Sequence, residues 1–300
     1  MKTTPPRDAA GFSPRLLLLL LGVALFWGLN WQVMKVALRE IPPMSFRTFT
    51  VLAGGVGLML VARLARLPML PPPGKWPVLA WLALTNIAGW NMLSIFGIAL
   101  LPSGRAALIA YTMPVWSILL SALLLGNPLT VRRVAGMMLG AVGVFAMMGT
   151  ELGAIAGAPW GALLMVGAAF SWALGVVSIK RFPLAMPTLT FSAWTLLLGG
   201  AMTLPFALAF EDIAPWRHLG FWSNFAVFYN VFVSLMFCNW AWNNLVRRLP
   251  VAVSSLSSLV VPLVGVAGGM LILGEKPDWA EWFGMACILG AVATVVLQKK

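Results

Sequence analysis

The sequence predicts an all-α integral membrane protein, with ten transmembrane helices arranged as two inverted five-helix repeats around a central cavity. Three observations carry that prediction. The first is composition: of 300 residues, 61% are hydrophobic and only 9% are charged. An average soluble domain carries about 25% charged residues, so this chain has too little polar surface to coat a water-soluble globule. The second is that the charges divide the chain into apolar runs long enough to cross a bilayer. The third is a sequence echo between the two halves.

A helix needs about 20 apolar residues to span the hydrocarbon core. The charge-free stretches are 16–34, 48–62, 76–104, 106–131, 134–150, 152–179, 182–210, 219–246, 249–274 and 282–298. The second is short unless Arg47 lies at the interface and its helix starts near Met44. Lipid tolerates only helices or closed barrels. Barrel strands alternate apolar and polar residues over about 10 positions, and runs such as Leu16 to Leu21 do not alternate. That first run continues past Trp27 and Trp31 without a small-residue cleavage site, so it reads as an uncleaved first helix rather than a secretion signal. Fourteen of the 20 lysines and arginines fall on the side of the N-terminus and six on the opposite side. This bias puts both termini in the cytoplasm of a multi-pass cell (inner) membrane protein. It also gives the net charge of +12 a role in orientation and in contact with anionic lipid, rather than in binding nucleic acid.

The halves match at two offsets. At 145, Trp27 falls on Trp172, Lys35 on Lys180, Phe46 on Phe191, and Gly54-Gly55 on Gly199-Gly200. At 148, Asn91 falls on Asn239, Leu101-Pro102 on Leu249-Pro250, Pro114 on Pro262, Gly126 on Gly274, and Gly136 on Gly284. The repeats occupy 16–149 and 159–297, with five predicted helices each. Five is odd, so the second repeat threads the bilayer in the opposite sense. Inverted repeats recur in secondary transporters, because two such halves can exchange conformations and open a midplane site to either side.

On these residues the chain resembles the drug/metabolite transporter superfamily, of the type with two EamA repeats. The resemblance covers roughly 16–297. It rests on the tryptophan near the start of each repeat, the proline in each fourth helix, and the stretch Leu273-Gly274-Glu275-Lys276-Pro277 before the last helix. The family usually carries Glu after this Gly in both halves, whereas the first half here has Asn127. Among subgroups the chain looks most like YddG-type exporters of aromatic amino acids. That resemblance implies export of a small-molecule substrate from the cell.

Polar groups at bilayer depth are costly and mark functional sites. Those at helical spacing include Trp27, Asn30, Trp31 and Met34 in the first span; Asn86, Trp90 and Ser94, with Asn91 beside them, in the third; Ala107, Tyr111 and Pro114 in the fourth; Ser171, Gly175 and Ser178, with Trp172 beside them, in the sixth; Asn239 and Asn243 in the eighth; and Ser254, Ser257, Ser258 and Val261 in the ninth. Trp27, Asn30, Trp90, Asn91, Tyr111, Trp172, Asn239, Asn243, Ser254 and Ser257 are the expected substrate-binding set. They describe an uncharged cavity with aromatic walls, suited to a planar ring and to the amine and carboxylate of a zwitterion. The competing reading takes Asn and Ser as interhelical glue and the tryptophans as interface belts. Trp76, Trp81, Trp160 and Trp282 fit the belt. Pro114 and Pro262 are expected hinges, each freeing the carbonyl four residues earlier, at Ala110 and Ser258. Gly136-x-x-x-Gly140 and Gly265-x-x-x-Gly269 permit close helix packing within the chain, which leaves a monomer or weak homodimer.

Several chemistries have no support. The chain has no Walker A pattern. Its one histidine, His218, lies in a loop, and Cys238 and Cys287 fall inside apolar runs. No metal site, catalytic residue or cofactor is expected, and a membrane enzyme would need a clustered acid, base or nucleophile that is missing. No Asp or Glu falls mid-span, so facilitated transport or exchange is expected rather than an obligatory protein-borne proton site. The alternatives are a proton-coupled exporter of other metabolites or drugs, and a pore or structural helix bundle.

Overall fold

The computed structural model describes residues 13–100, 109–148, 159–212, 216, 218–268 and 279–296. Ala107, Gly269, the stretch Leu273–Pro277 and the Pro262 side chain lie outside the described residues.

Every element among the described residues is helical. Helix α1 (Pro14–Ala37) follows Ser13, whose hydroxyl accepts the Leu16 amide at 3.4 Å. Helix α2 (Pro43–Leu64) also opens on a proline, which costs nothing there because the first amides of a helix have no intrahelical partner. Helix α3 (Trp76–Ala83) runs through a π-helical stretch (Leu84–Gly89) into α4 (Trp90–Leu100). Helix α5 (Met113–Leu125) stops at Gly126, whose φ of 67° is a left-handed cap that glycine adopts without strain. Next come α6 (Val131–Met148), α7 (Pro159–Arg181) and α8 (Thr188–Phe210). Helix α9 (Phe221–Phe228) passes through a second π-helical stretch (Tyr229–Cys238) into α10 (Asn239–Arg248). The chain continues through α11 (Val251–Ser257), α12 (Val260–Gly268) and α13 (Trp279–Val296).

Among the described residues, six helices are long and apolar enough to cross a membrane: Pro14–Met34, Pro43–Leu64, Trp76–Gly97, Pro159–Arg181, Thr188–Phe210 and Phe221–Arg248. Met113–Leu125 and Trp282–Thr294 are shorter apolar helices. The outside of the bundle is apolar and much of its polarity is inside: Leu123 is 80% exposed, whereas Thr50, Thr190 and Asn230 are fully buried. In lipid this arrangement is favourable, because hydrocarbon solvates leucine while an amide needs a partner within the protein.

Packing follows the sequence echo. The most extensive contacts pair α2 with α8 and α6 with α13. The contact of α4 with α7 has its counterpart in α1 against the second π-helical stretch, and that of α5 with α7 in α1 against α12. The glycine pairs match residue by residue. Gly55 faces Leu197 and Gly200 faces Leu52; Gly54 faces Leu235 and Gly199 faces Ile87. Between α6 and α13, a Cβ added to Gly143 would sit 2.8 Å from the Gly284 carbonyl oxygen, so only glycine permits that approach. Gly136 and Gly140 face Leu256, Leu259, Ala291 and Thr294 of the same chain, and their spacing serves internal packing.

Candidate functional site

A hollow of about 880 Å³, counting its open mouth, lies between the halves. Side chains reach it from α1, α2, α4, α7, α10, both π-helical stretches, the turn before α5 and the junction of α11 with α12. A π-helical stretch misaligns the backbone ladder, and such stretches recur at functional sites. Here one carries Asn86 and Ile87 to the wall and the other carries Ser234 and Leu235.

Four tryptophans form one face. The ring of Trp172 lies 5.9 Å from Trp27, 5.4 Å from Trp90 and 6.1 Å from Trp242, and Trp27 lies 5.8 Å from Trp242. These centroid distances suit tilted and edge-to-face contacts between rings. Trp27 is held further by its Nε1, which donates to the Ser234 carbonyl at 3.2 Å. The hollow occupies the half of the bundle where α1 ends and α2 begins, reaching Met34 and Arg47. On the other side of the tryptophans the bundle is packed: Leu79, Leu82, Val177, Leu245 and Leu256 are all buried. The tryptophans form the floor of the hollow.

Three wall amides are held by their own helices. Asn86 Nδ2 donates to the Leu82 carbonyl at 3.0 Å, and Asn91 Nδ2 to the Ile87 carbonyl at 2.7 Å. Asn239 Oδ1 accepts from Asn243 Nδ2 at 3.1 Å. Asn30 Nδ2 lies 3.2 Å from Met34 Sδ. Asn30 Oδ1 and Trp242 Nε1 are buried with no hydrogen-bond partner among the described residues. A buried polar atom without a partner costs about 1–3 kcal/mol, so each is a point where a solute can add a hydrogen bond.

Of the expected substrate-binding residues, Trp27, Asn30, Trp90, Asn91, Tyr111, Trp172 and Asn239 line this hollow. Asn243, Ser254 and Ser257 are buried behind the wall. Asn243 donates to Ser192 Oγ at 2.9 Å, and Ser254 Oγ turns back to the Pro250 and Val251 carbonyls of its own helix. The expected hinge residue Pro114 is the second residue of α5, and the helix break falls just before that helix, at Tyr111–Thr112. The second break falls at Ser258–Leu259, between α11 and α12. The carbonyl of Ser258 is not freed as expected: it accepts the Val261 amide at 3.1 Å, because the turn after α11 tightens and closes a shorter ring.

Two wall residues depart from the sequence expectation. The cavity was expected to be uncharged, and Arg47 was not among its expected lining residues. Helix α2 starts at Pro43, close to the expected Met44, and Arg47, one turn in, is half-buried and lines the hollow, so the wall carries a charge. Trp242 was missed, although it shares a helical face with Asn239 at i, i+3 spacing, and that spacing is the signal that would have found it.

Most of the wall comes in repeat-related pairs. At offsets of 145 and 148, Trp27 answers Trp172, Asn86 answers Ser234, Ile87 answers Leu235, Asn91 answers Asn239, Ala110 answers Ser258, and Met113 answers Val261. The remaining six lining residues have no lining counterpart: Asn30, Met34, Arg47, Trp90, Tyr111 and Trp242.

A multi-pass helical membrane protein with a hollow lined from two similarly packed halves is built as a membrane transporter. The sequence pattern of the EamA-like transporter family matches residues 15–149 and again 159–297, and the chain belongs to that family. It is similar to the "Uncharacterized inner membrane transporter YedA" of Escherichia coli K12, 29% identical over 93% of this chain and 90% of that one. It is also similar to the "Probable amino-acid metabolite efflux pump" of the same organism, 27% identical over 89% of this chain and 90% of the other. A solved crystal structure shares the fold, with a TM-score of 0.79 over 95% of this chain and 98% of that one, at 23% identity.

Proposed function

We propose that this chain is a secondary transporter that exports small amphipathic solutes, neutral and aromatic amino acids first among them, by alternating access. The observation that carries this reading is the cavity wall, in which repeat-related residues meet around one hollow above a tryptophan floor. Two halves that supply equivalent walls can trade places, opening one site to one side and then to the other. The aromatic floor suits a ring, and the amides and unpartnered polar atoms suit the polar ends of an amino acid. Similarity to a protein named as an amino-acid metabolite efflux pump supports the solute class.

In this reading the chain crosses the inner membrane ten times. To the six long spans it adds α5, α6, the α11–α12 pair and α13. The repeats 16–149 and 159–297 thread in opposite senses, both termini are cytoplasmic, and the working unit is a monomer or weak homodimer. Trp27, Asn30, Trp90, Asn91, Tyr111, Trp172 and Asn239 contact the solute. Asn243, Ser254 and Ser257 support that wall from behind, and the breaks before Pro114 and Pro262 act as hinges. Movement is facilitated or by exchange.

The test is counterflow of labelled L-phenylalanine in liposomes containing the purified chain, with and without a pH gradient. The expected result is saturable uptake that internal unlabelled phenylalanine accelerates and that needs no gradient. Non-saturable flux without counterflow would make the chain a pore, and strict dependence on the gradient would make it proton-coupled.

A further inference from the structure

We infer that Arg47 is the anion-binding group of the cavity, and that the solutes this chain carries present an ionised carboxylate to it while their apolar body rests on the tryptophan floor. The inference rests on the cavity being the solute site and adds the charge a solute must bring.

Arg47 is the one charged residue lining the hollow among the described residues. It also lines a smaller adjoining hollow of about 230 Å³, where its neighbours include Thr48, Asn91 and Thr203. Among the described residues its guanidinium has no hydrogen bond, ion pair or ring contact. The carboxylate that reaches this end of α2 is committed elsewhere: Glu211 accepts the Met44 amide at 2.9 Å and the Ser45 amide at 2.6 Å, capping the helix. Arg247 shows what a structural arginine looks like in this fold. It donates to Thr188 Oγ1 and to the Leu184 and Met186 carbonyls at 2.8–2.9 Å, and it sits over the Phe191 ring at 5.4 Å. Arg47 makes no such contacts.

An arginine held among apolar helices without a partner is costly, and it is tolerated where it meets a water-filled space or a ligand. The repeat-related position does not share the charge. It is Ser192, a buried hydroxyl that accepts from Asn243. The pseudo-symmetric wall therefore carries a positive charge on one side only, which gives a bound solute a direction. A guanidinium offers a planar fork that matches a carboxylate with two parallel hydrogen bonds. A phosphate dianion would call for a second cation, and none lines either hollow among the described residues. Asn30 Oδ1, buried and unpartnered, is an acceptor for the ammonium of an amino acid.

The experiment compares three ring compounds on the purified full-length chain: 3-phenylpropionate, which has only the acid, phenethylamine, which has only the amine, and L-phenylalanine. Binding is read from the shift in thermal unfolding, and transport from competition with phenylalanine counterflow. Wild type is expected to bind 3-phenylpropionate at least about tenfold more tightly than phenethylamine. Arg47→Gln should lose about tenfold or more for both carboxylates and leave phenethylamine binding unchanged, with Arg47→Lys in between. Arg47→Gln that binds 3-phenylpropionate as tightly as wild type would overturn the inference, as would a wild type that binds no carboxylate or prefers the amine. Should Arg47→Gln fail to fold, the wild-type preference and the Arg47→Lys loss decide the question. Carboxylate binding that depends on Arg47 without phenylalanine counterflow would leave the inference standing and remove the proposed transport. Counterflow indifferent to Arg47 would do the reverse.

Discussion

Trp27 and Trp172 stand 145 positions apart in the chain, yet their rings meet at 5.9 Å on the cavity floor. That meeting was legible in outline. The i, i+3, i+4 pattern of amides and aromatics pointed to Asn30, Asn91, Tyr111 and Asn239 as well, because polar groups in lipid collect where the bundle shields them. What the pattern does not encode is how each hydroxyl spends its hydrogen bond. Ser254 bonds the carbonyls three and four residues behind it, as serine does within helices, and so faces its own backbone rather than a solute. Arg47 was left out of the expected wall for a related reason. A charge one turn into a helix looks the same in sequence whether it reaches out to the interface or lines a hollow. At this scale the unpartnered Trp242 Nε1 gives a sharp prediction. Trp242→Phe keeps a ring on the floor and removes only the donor. It is expected to raise the KM for phenylalanine by about threefold to tenfold, the worth of one neutral hydrogen bond. The melting temperature should not fall, since no internal bond is lost. A lower melting temperature with an unchanged KM would show that Nε1 serves the fold.

The two π-helical stretches begin at Leu84 and Tyr229, again 145 apart, and each turns repeat-related side chains to the wall. The sequence predicted continuous helices there; the first stretch ends at Gly89, and the second carries neither glycine nor proline to announce the extra backbone width. The helix breaks are a clearer case. Prolines at equivalent places announced them: the breaks fall at Tyr111–Thr112 and Ser258–Leu259, before each proline, and the Ser258 carbonyl at the second accepts the Val261 amide instead of being freed. A proline near the start of a helical segment fixes where that segment begins, because its ring excludes the preceding turn from regular helix. Pro114→Ala should let α5 extend back through Tyr111. The expected consequence is slower phenylalanine counterflow with binding by thermal shift preserved. Equal rates for variant and wild type at equal expression would remove the hinge.

Over the whole molecule, a symmetric frame carries an asymmetric site. The glycine contacts of α2 with α8 repeat in both directions, Gly55 on Leu197 and Gly200 on Leu52, and six pairs of wall residues repeat with them. The six wall residues outside these pairs replace small or neutral counterparts: Asn30 stands opposite Gly175, Arg47 opposite Ser192, and Tyr111 opposite Leu259. Symmetry allows the halves to exchange roles, and the unmatched groups give the solute an orientation. The repeat was readable from a handful of paired Trp, Gly and Pro positions. The tight packing of Leu79, Leu82 and Leu245 beyond the tryptophans was not, because apolar packing has no short signature. The most direct measurement of a shared solute site is thiol accessibility. In a chain carrying Cys238→Ala and Cys287→Ala, single cysteines replace Asn91 and Ser234, one from each half. Both are expected to react in membrane vesicles with a water-soluble, membrane-impermeant thiol reagent added from one side, and L-phenylalanine should protect both. Cysteines that react only with lipid-soluble reagents, or that phenylalanine leaves unprotected, would contradict a solute cavity between the halves.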